Sequence, residues 1–264
     1  MDHLDFIEAY SIYILREAFN KFDRLVMLWS LGKDSNVMLW LAKKAFFGHI
    51  PCPVVFCDTG KKFPDMYSFQ KKYTKNWNLN FIRQECPPIE EIDPTLTVSV
   101  RSAARKTEAL KRLIHELELQ AVIVGIRRDE ESTRAKERIF SPRGENAEWN
   151  FRDQPPEFWD HFMTKLLPGN HIRIHPLLHW TELDIWLYIQ RESIPVVPLY
   201  FAHNGKRYRS LGDMDITKPV TSNADTIEKI IAELLVTKIA ERSGRMMDYE
   251  TEDAFELLRS AGYM

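Results

Sequence analysis

Six consecutive residues, Ser30-Leu31-Gly32-Lys33-Asp34-Ser35, bring together two small hydroxyls, a glycine, a cation and a carboxylate. That set suits a phosphate group. Gly32 lets the backbone come close to an anion. The Ser30 and Ser35 hydroxyls and the N–H groups of a helix start can donate to phosphate oxygens, and the helix dipole favours negative charge there. Lys33 adds positive charge, and Asp34 can orient a neighbour or help hold Mg²⁺. The spacing is neither the Gly-x-x-x-x-Gly-Lys-Ser/Thr of a P-loop nor the Gly-x-Gly-x-x-Gly of a dinucleotide fold. The plainer alternative is an ordinary capped turn. An apolar run before the loop and a helical pattern after it favour the phosphate loop.

Two further segments carry candidate chemistry. Asp58-Thr59-Gly60 ends a second apolar run, where Asp58 can contact ribose or Mg²⁺ and the backbone from Phe56 to Asp58 can read an adenine. A turn-forming aspartate before Thr-Gly is the plainer account. A third run ends near Gly125 and is followed by Arg127, Arg128, Arg134, Lys136, Arg138 and Arg143. Guanidinium groups engage sulfate or phosphate oxygens in pairs. Arg127 and Arg128 follow the run directly, and Arg134 and Arg138 are four apart, as on one helical face. Four interleaved acids (Asp129, Glu130, Glu131, Glu137) leave a solvated, salt-bridged segment as the alternative. His175, His179 and His203 have no metal-ligand spacing. Cys57 adjoins Asp58, although a free cysteine is most often a small buried hydrophobe.

The elements that position these residues are legible in outline. Leu25–Trp29, Val54–Cys57, Asn80–Gln84, Ala121–Ile126 and Ile172–Leu177 read as strands, with helices over 3–20, 36–47, 64–77 and 101–118 between or before them. Pro64 suits a first helical turn. Thr181 starts a further helix, its hydroxyl available to the N–H three residues on, and another helix is expected over 226–241. The fold class is α/β: a doubly wound, mostly parallel five-stranded sheet with helices on both faces. Residues 141–170, rich in Pro, Gly, Trp and charge, read as an irregular excursion or flap. Residues 1–203 are expected to form the nucleotide-binding catalytic domain, and 204–264 an irregular extension suited to a partner or a lid.

The 264 residues are 44% hydrophobic and 28% charged, with a net charge of −2. That near-balance excludes a global electrostatic preference for nucleic acid or anionic membrane. No apolar run approaches the roughly 20 residues of a bilayer span. The start, Met1-Asp2-His3-Leu4-Asp5, lacks the basic-then-apolar pattern of a secretory signal. Three cysteines without a CxxC pair argue against a disulfide framework. A reduced, cytoplasmic protein is expected.

The loop resembles the Ser-Gly-Gly-x-Asp-Ser loop of the PP-loop ATP pyrophosphatases. Further segments are similar to the small catalytic subunits of bacterial ATP sulfurylases: Asp58-Thr59-Gly60-Lys61-Lys62-Phe63, Arg127-Arg128-Asp129-Glu130-Glu131, Arg134-Ala135-Lys136-Glu137-Arg138, Trp180-Thr181-Glu182-Leu183-Asp184-Ile185-Trp186, Val197-Pro198-Leu199-Tyr200, Arg209-Ser210-Leu211-Gly212 and Glu241-Arg242-Ser243-Gly244-Arg245. The Trp180 to Trp186 piece is shared with phosphoadenylylsulfate reductases. The resemblance implies an adenine nucleotide alpha hydrolase-like (HUP-type) fold, with ATP as substrate, Mg²⁺ as cofactor and sulfate attacking the α-phosphorus. It also implies a larger GTPase subunit as partner, because the phosphosulfate anhydride is steeply uphill. On it, Lys33, Asp34, Arg127 and Arg128 become the catalytic candidates. Ser30, Leu31, Gly32, Lys33, Asp34, Ser35, Phe56, Asp58, Thr59, Gly60, Gly125, Arg134 and Arg138 become nucleotide contacts, and Asp34 and Asp58 metal ligands. Two positions depart from the family: Leu31 stands for a glycine, and Asp213 stands where cysteine is common. They keep open a sulfur-transfer enzyme that works with a cysteine desulfurase, such as a DNA-phosphorothioation ATP pyrophosphatase, and a non-catalytic nucleotide-binding subunit. The reductases' terminal Glu-Cys-Gly nucleophile is absent.

Overall fold

Leu25–Leu28 is apolar and buried at every position, as the middle strand of a parallel sheet must be. This strand, β1, pairs in parallel with β2 (Val54–Asp58) on one side and β4 (Ala121–Ile123) on the other. Met27 lies opposite Val54, and Leu25 opposite Ala121. β2 carries β3 (Phe81–Glu85), and β4 carries β6 (His171–Ile174), both also parallel. β5 (Phe140–Arg143) runs antiparallel to β6 and forms that edge. These positions come from a computed structural model that describes residues 1–239 and Glu241. The strand order is β3-β2-β1-β4-β6-β5. The chain reverses its travel across the sheet between β1 and β4, and open α/β sheets bind ligands at such a switch point, beyond the carboxyl ends of the strands.

The helices are α1 (His3–Lys21), α2 (Lys33–Ala45), α3 (Pro64–Asn76), α4 (Val98–Glu116), α5 (Glu182–Glu192) and α6 (Ile227–Val236). α2 packs between α1 and α5, α6 lies on α5, and α4 covers β2 and β3. Right-handed crossovers place α4 on the opposite face from α2 and α3. Pro64 occupies the first turn of α3, as its sequence position predicts.

Three differences from the sequence expectation have physical causes. The sheet has a sixth strand, β5, inside the segment expected to be irregular. Its Pro142 argues against a central strand but is accepted at an edge, where no ladder partner needs its missing N–H. α2 begins at Lys33, so Lys33, Asp34 and Ser35 form its first turn rather than a loop before it. The last helix stops at Val236, short of the expected Glu241. Residues 204–239 are also less irregular than expected. They hold a short hairpin of β7 (Lys206–Arg207) and β8 (Val220–Thr221), and Leu211, Ala224 and Ile230 belong to the same hydrophobic core as the sheet. Among the described residues no helix is long and apolar enough to cross a membrane.

The start of α5 forms as its sequence predicts. Thr181 Oγ1 accepts from the Asp184 N–H at 3.1 Å, and Asp184 Oδ2 accepts from the Thr181 N–H at 2.9 Å, a reciprocal capping box. Thr181→Ala is expected to cost about 1 kcal/mol, read as a lower urea midpoint with an unchanged m-value.

Candidate active site

The carboxyl ends of β1, β2 and β4 open into a cleft of about 1120 Å³, open mouth included. Ser30, Gly32, Lys33, Asp34 and Ser35 line one wall, with Phe56, Gly125 and Arg134 around them. The first turn of α2 therefore points at the cleft, where its N–H groups have no intrahelical acceptors. Gly32 is its N-cap and offers no side chain. The Lys33 N–H donates to Tyr200 Oη at 3.0 Å, which ties the loop to the turn at 198–200. Ser30 Oγ and Ser35 Oγ are 3.1 Å apart, and Ser35 Oγ donates to the Gly32 carbonyl at 2.9 Å.

Leu31 carries the strain of this loop. Its φ is 67°, in the left-handed region, while Gly32 sits at −79°. Leu31 does not line the cleft, because its side chain is fully buried in the core. The left-handed geometry costs a β-carbon-bearing residue about 1–2 kcal/mol, and burial of the isobutyl group offsets it.

Behind the loop lies a buried charge cluster. Arg127 has no exposure to water. Its Nη1 contacts Asp34, its Nε bonds Asp129 Oδ1 at 2.8 Å, and its Nη2 bonds Glu241 Oε2 at 2.5 Å. Lys33 Nζ reaches the other Glu241 oxygen and lies 3.2 Å from Asp34 Oδ2. Burial alone would raise the Glu241 carboxyl, but Lys33 and Arg127 hold it well below the usual carboxylate range. Burial opposes the charge on Arg127 as well, and Glu241, Glu130 and Asp129 reverse that and raise it. Asp129 Oδ2 accepts from the Glu182 N–H at 2.7 Å, at the start of α5. Glu182 pairs with Arg209 at 2.6 Å, and Arg209 donates to the Ile239 carbonyl at 2.7 Å. Ile239 lies two residues before Glu241, so the ring of contacts closes on itself.

Several residues expected at the site lie elsewhere. Asp58 does not line the cleft: it accepts from Tyr67 Oη at 2.8 Å and the Gly60 N–H at 2.9 Å, and pairs with Arg83 at 2.5 Å. That is the turn-forming role, with Gly60 at φ 75°. Thr59 Oγ1 donates to Asp213 at 2.9 Å. Arg128 turns to His179 at 2.8 Å and the Glu137 carbonyl at 3.1 Å. Arg138 bonds the Pro155 carbonyl at 3.2 Å. It shares no helical face with Arg134, because the short turn at 132–136 ends and Glu137 is extended. Arg134 does reach the cleft, held by Glu130 and, at 3.0 Å, by Glu131. Of the Glu241-to-Arg245 segment, only Glu241 is among the described residues.

Sequence reasoning missed the opposite wall. Lys62, after β2, and Lys106, on α4, both line the cleft, with Ser210, Leu211 and Gly212 nearby. The Lys-Lys pair after Asp58-Thr59-Gly60 was a visible signal for Lys62; nothing local marks Lys106, which the α4 packing brings in. Cys57 also lines the cleft, and burial pushes its thiol up to about 12. A group that titrates there is a thiol at neutral pH, not the thiolate that sulfur-transfer chemistry uses. Among the described residues no three His, Cys, Asp or Glu side chains are grouped to hold a metal.

This fold and cleft define a nucleotide-site α/β protein, and the family model of the phosphoadenosine phosphosulfate reductase domain matches residues 24–219. Over 100% of its length the chain is 40% identical to sulfate adenylyltransferase subunit 2 of Sulfurimonas denitrificans and 38% identical to that of Bacteroides fragilis, covering 98% of each. The chain therefore belongs to the phosphoadenosine phosphosulfate reductase domain family and, within it, to the sulfate adenylyltransferase subunit 2 family. Solved structures share the fold. A phosphoadenylyl-sulfate reductase from Candida auris aligns at TM-score 0.55 and 20% identity over 82% of this chain and 96% of that one. An FMN adenylyltransferase from Candida glabrata aligns at 0.60 and 18% over 92% and 87%.

Two outcomes are expected. Leu31→Gly relieves the left-handed strain but loses a fully buried side chain, worth about 2–5 kcal/mol on truncation, so the variant is less stable and shows a lower denaturation midpoint. Glu241 has a depressed folded pKa, so its contribution is complete above the ordinary carboxylate value of about 4.3 and is lost as pH falls through the folded value. Glu241→Gln should therefore lose less stability than the parent on acidification below about pH 4, with the gap between their urea midpoints narrowing.

Proposed function

We propose that the chain transfers the adenylyl group of ATP to sulfate, giving adenylylsulfate and pyrophosphate. The observation that carries this reading is the placement of Lys33 and the first turn of α2 on the cleft wall at the switch point, in a chain similar over its full length to sulfate adenylyltransferase subunit 2. Sulfate oxygen attacks the α-phosphorus, the bond from that phosphorus to the bridging oxygen breaks, and the electron pair leaves on pyrophosphate. No proton need move, so catalysis is positioning and charge stabilisation. Lys33 and the first turn of α2 receive the leaving pyrophosphate, Arg127 fixes them from behind through Asp34 and Glu241, Arg134 adds charge at the mouth, and the edge of β2 near Phe56 offers backbone to adenine. Arg128, Arg138, Asp58 and Thr59 support these walls from outside the cleft.

A Mg²⁺ bound with the nucleotide would supply neutralisation of phosphate charge. Of the two expected carboxylates only Asp34 lines the cleft; its oxygens pair with Arg127 and Lys33, and it is the one that would reach a metal on the phosphates, which needs only one or two such ligands. Asp58 does not fit, because it lies outside the cleft. The relatives are named as one subunit of an enzyme, so the chain acts with a partner subunit, for which a GTPase able to drive an uphill anhydride is the fitting class. The extension from residue 204 supplies Ser210, Leu211, Gly212 and Glu241 to the cleft, a lid-like role.

Pyrophosphate release should depend on both ATP and sulfate when the chain is assembled with its partner. Lys33→Ala should lower kcat by about a hundredfold or more. ATP cleavage that is indifferent to sulfate would defeat the reading.

A further inference from the structure

The carboxylate of Asp213 is wholly buried and gathers donors from two parts of the chain, the β2–α3 turn and α4. Oδ1 accepts from Lys62 Nζ at 2.8 Å and Thr59 Oγ1 at 2.9 Å. Oδ2 accepts from Ser102 Oγ at 2.5 Å and Lys106 Nζ at 3.1 Å. Its loop is fastened to the β2–α3 turn, where the Met214 N–H donates to the Lys61 carbonyl at 2.8 Å and Lys61 pairs with Asp215 at 2.7 Å. Burial opposes the charge on Asp213, and Lys106 and Lys62 overcome it, holding the group ionised far below the usual range.

Two ammonium groups within 3.1 Å of one carboxylate stand close enough to repel each other. Their juxtaposition therefore depends on Asp213. Each ammonium carries three donors, and both line the cleft from the β2–β3 side, while Lys33 lines it from the start of α2, beyond β1. In-line displacement at phosphorus places the attacking and leaving oxygens on opposite sides of the reacting atom. With pyrophosphate on the wall made by Lys33 and the first turn of α2, the attacking oxyanion arrives from the wall that Lys62 and Lys106 make.

We propose that Asp213 is a positioning residue that holds Lys62 and Lys106 together as the subsite for the attacking tetrahedral oxyanion, sulfate in the proposed reaction. This rests on the adenylyl-transfer reading above. Thr59, expected to touch nucleotide, instead helps to hold the carboxylate that builds this subsite.

The test uses the chain assembled with its partner subunit, in two measurements. The first is the steady-state KM for sulfate and for ATP from pyrophosphate release. The second is sulfate binding by calorimetry in the presence of α,β-methylene-ATP. Lys106→Met and Asp213→Asn should each raise the sulfate KM and weaken sulfate binding by at least about tenfold, the loss expected for a hydrogen bond to a charged group, with the ATP KM little changed. The double variant should be no worse than Asp213→Asn alone, because the lysine acts through its placement. Sulfate binding unchanged in Lys106→Met, or an ATP KM that rises in parallel, overturns the subsite and leaves the reaction standing. A parent protein that neither binds sulfate nor needs it for pyrophosphate release overturns the reaction and the subsite with it. If Asp213→Asn fails to fold, Lys106→Met decides, since its side chain is partly exposed.

Discussion

A guanidinium sealed from water must be matched by carboxylates, and much of the site follows from how Arg127 meets that demand. Its three partners come from α2, from the turn after β4, and from beyond α6. An isolated buried charge would be prohibitive, and removing one member of such a group leaves the others uncompensated. The cluster therefore binds the phosphate loop, the start of α5 and the chain beyond α6 into one unit. Asp129 passes the connection to α5, Glu182 to Arg209, and Arg209 back to Ile239 beside Glu241. Lys33 and Asp34 are thus held at the cleft wall by the fold itself.

The parts of this design that are local were legible in the sequence. Five apolar residues before Ser30, Leu25 to Trp29, demand a buried strand, and the residues after it read as a helix. The order of strands and helices defines a parallel sheet whose ligand edge carries Ser30–Ser35, Gly125 and Arg127. The cap at Thr181 is a three-residue pattern and formed as such. What the sequence hid depends on contacts between distant residues. Pro142 masked an edge strand because the same proline would break a central one. Arg128 and Arg127 are adjacent and chemically alike, yet only Arg127 joins the buried cluster behind the loop while Arg128 turns to His179, since successive residues after a strand leave in different directions. Asp58 looked like a ligand because turn-forming and ligand-binding aspartates share the same local sequence. Glu241 and Lys106 could not be placed without knowing which elements meet.

The two departures from the family pattern prove unlike in kind. Leu31 keeps the left-handed backbone that a glycine would adopt freely and answers its cost with core packing, so the loop is altered in energetics rather than in shape. Asp213 substitutes a charge for a small sulfur-bearing side chain and organises two lysines around it. Cys57, the residue that would favour sulfur transfer, stays protonated between the two cation groups.

β5 has a further effect, outside catalysis. An open parallel sheet ends in strands whose outer N–H and C=O groups can template pairing with another molecule. Here the β6 side is finished by a short strand of reversed direction whose middle carries Pro142, which lacks a donor. A foreign strand approaching that edge would find a broken ladder. Self-association by sheet extension is thereby discouraged on that side.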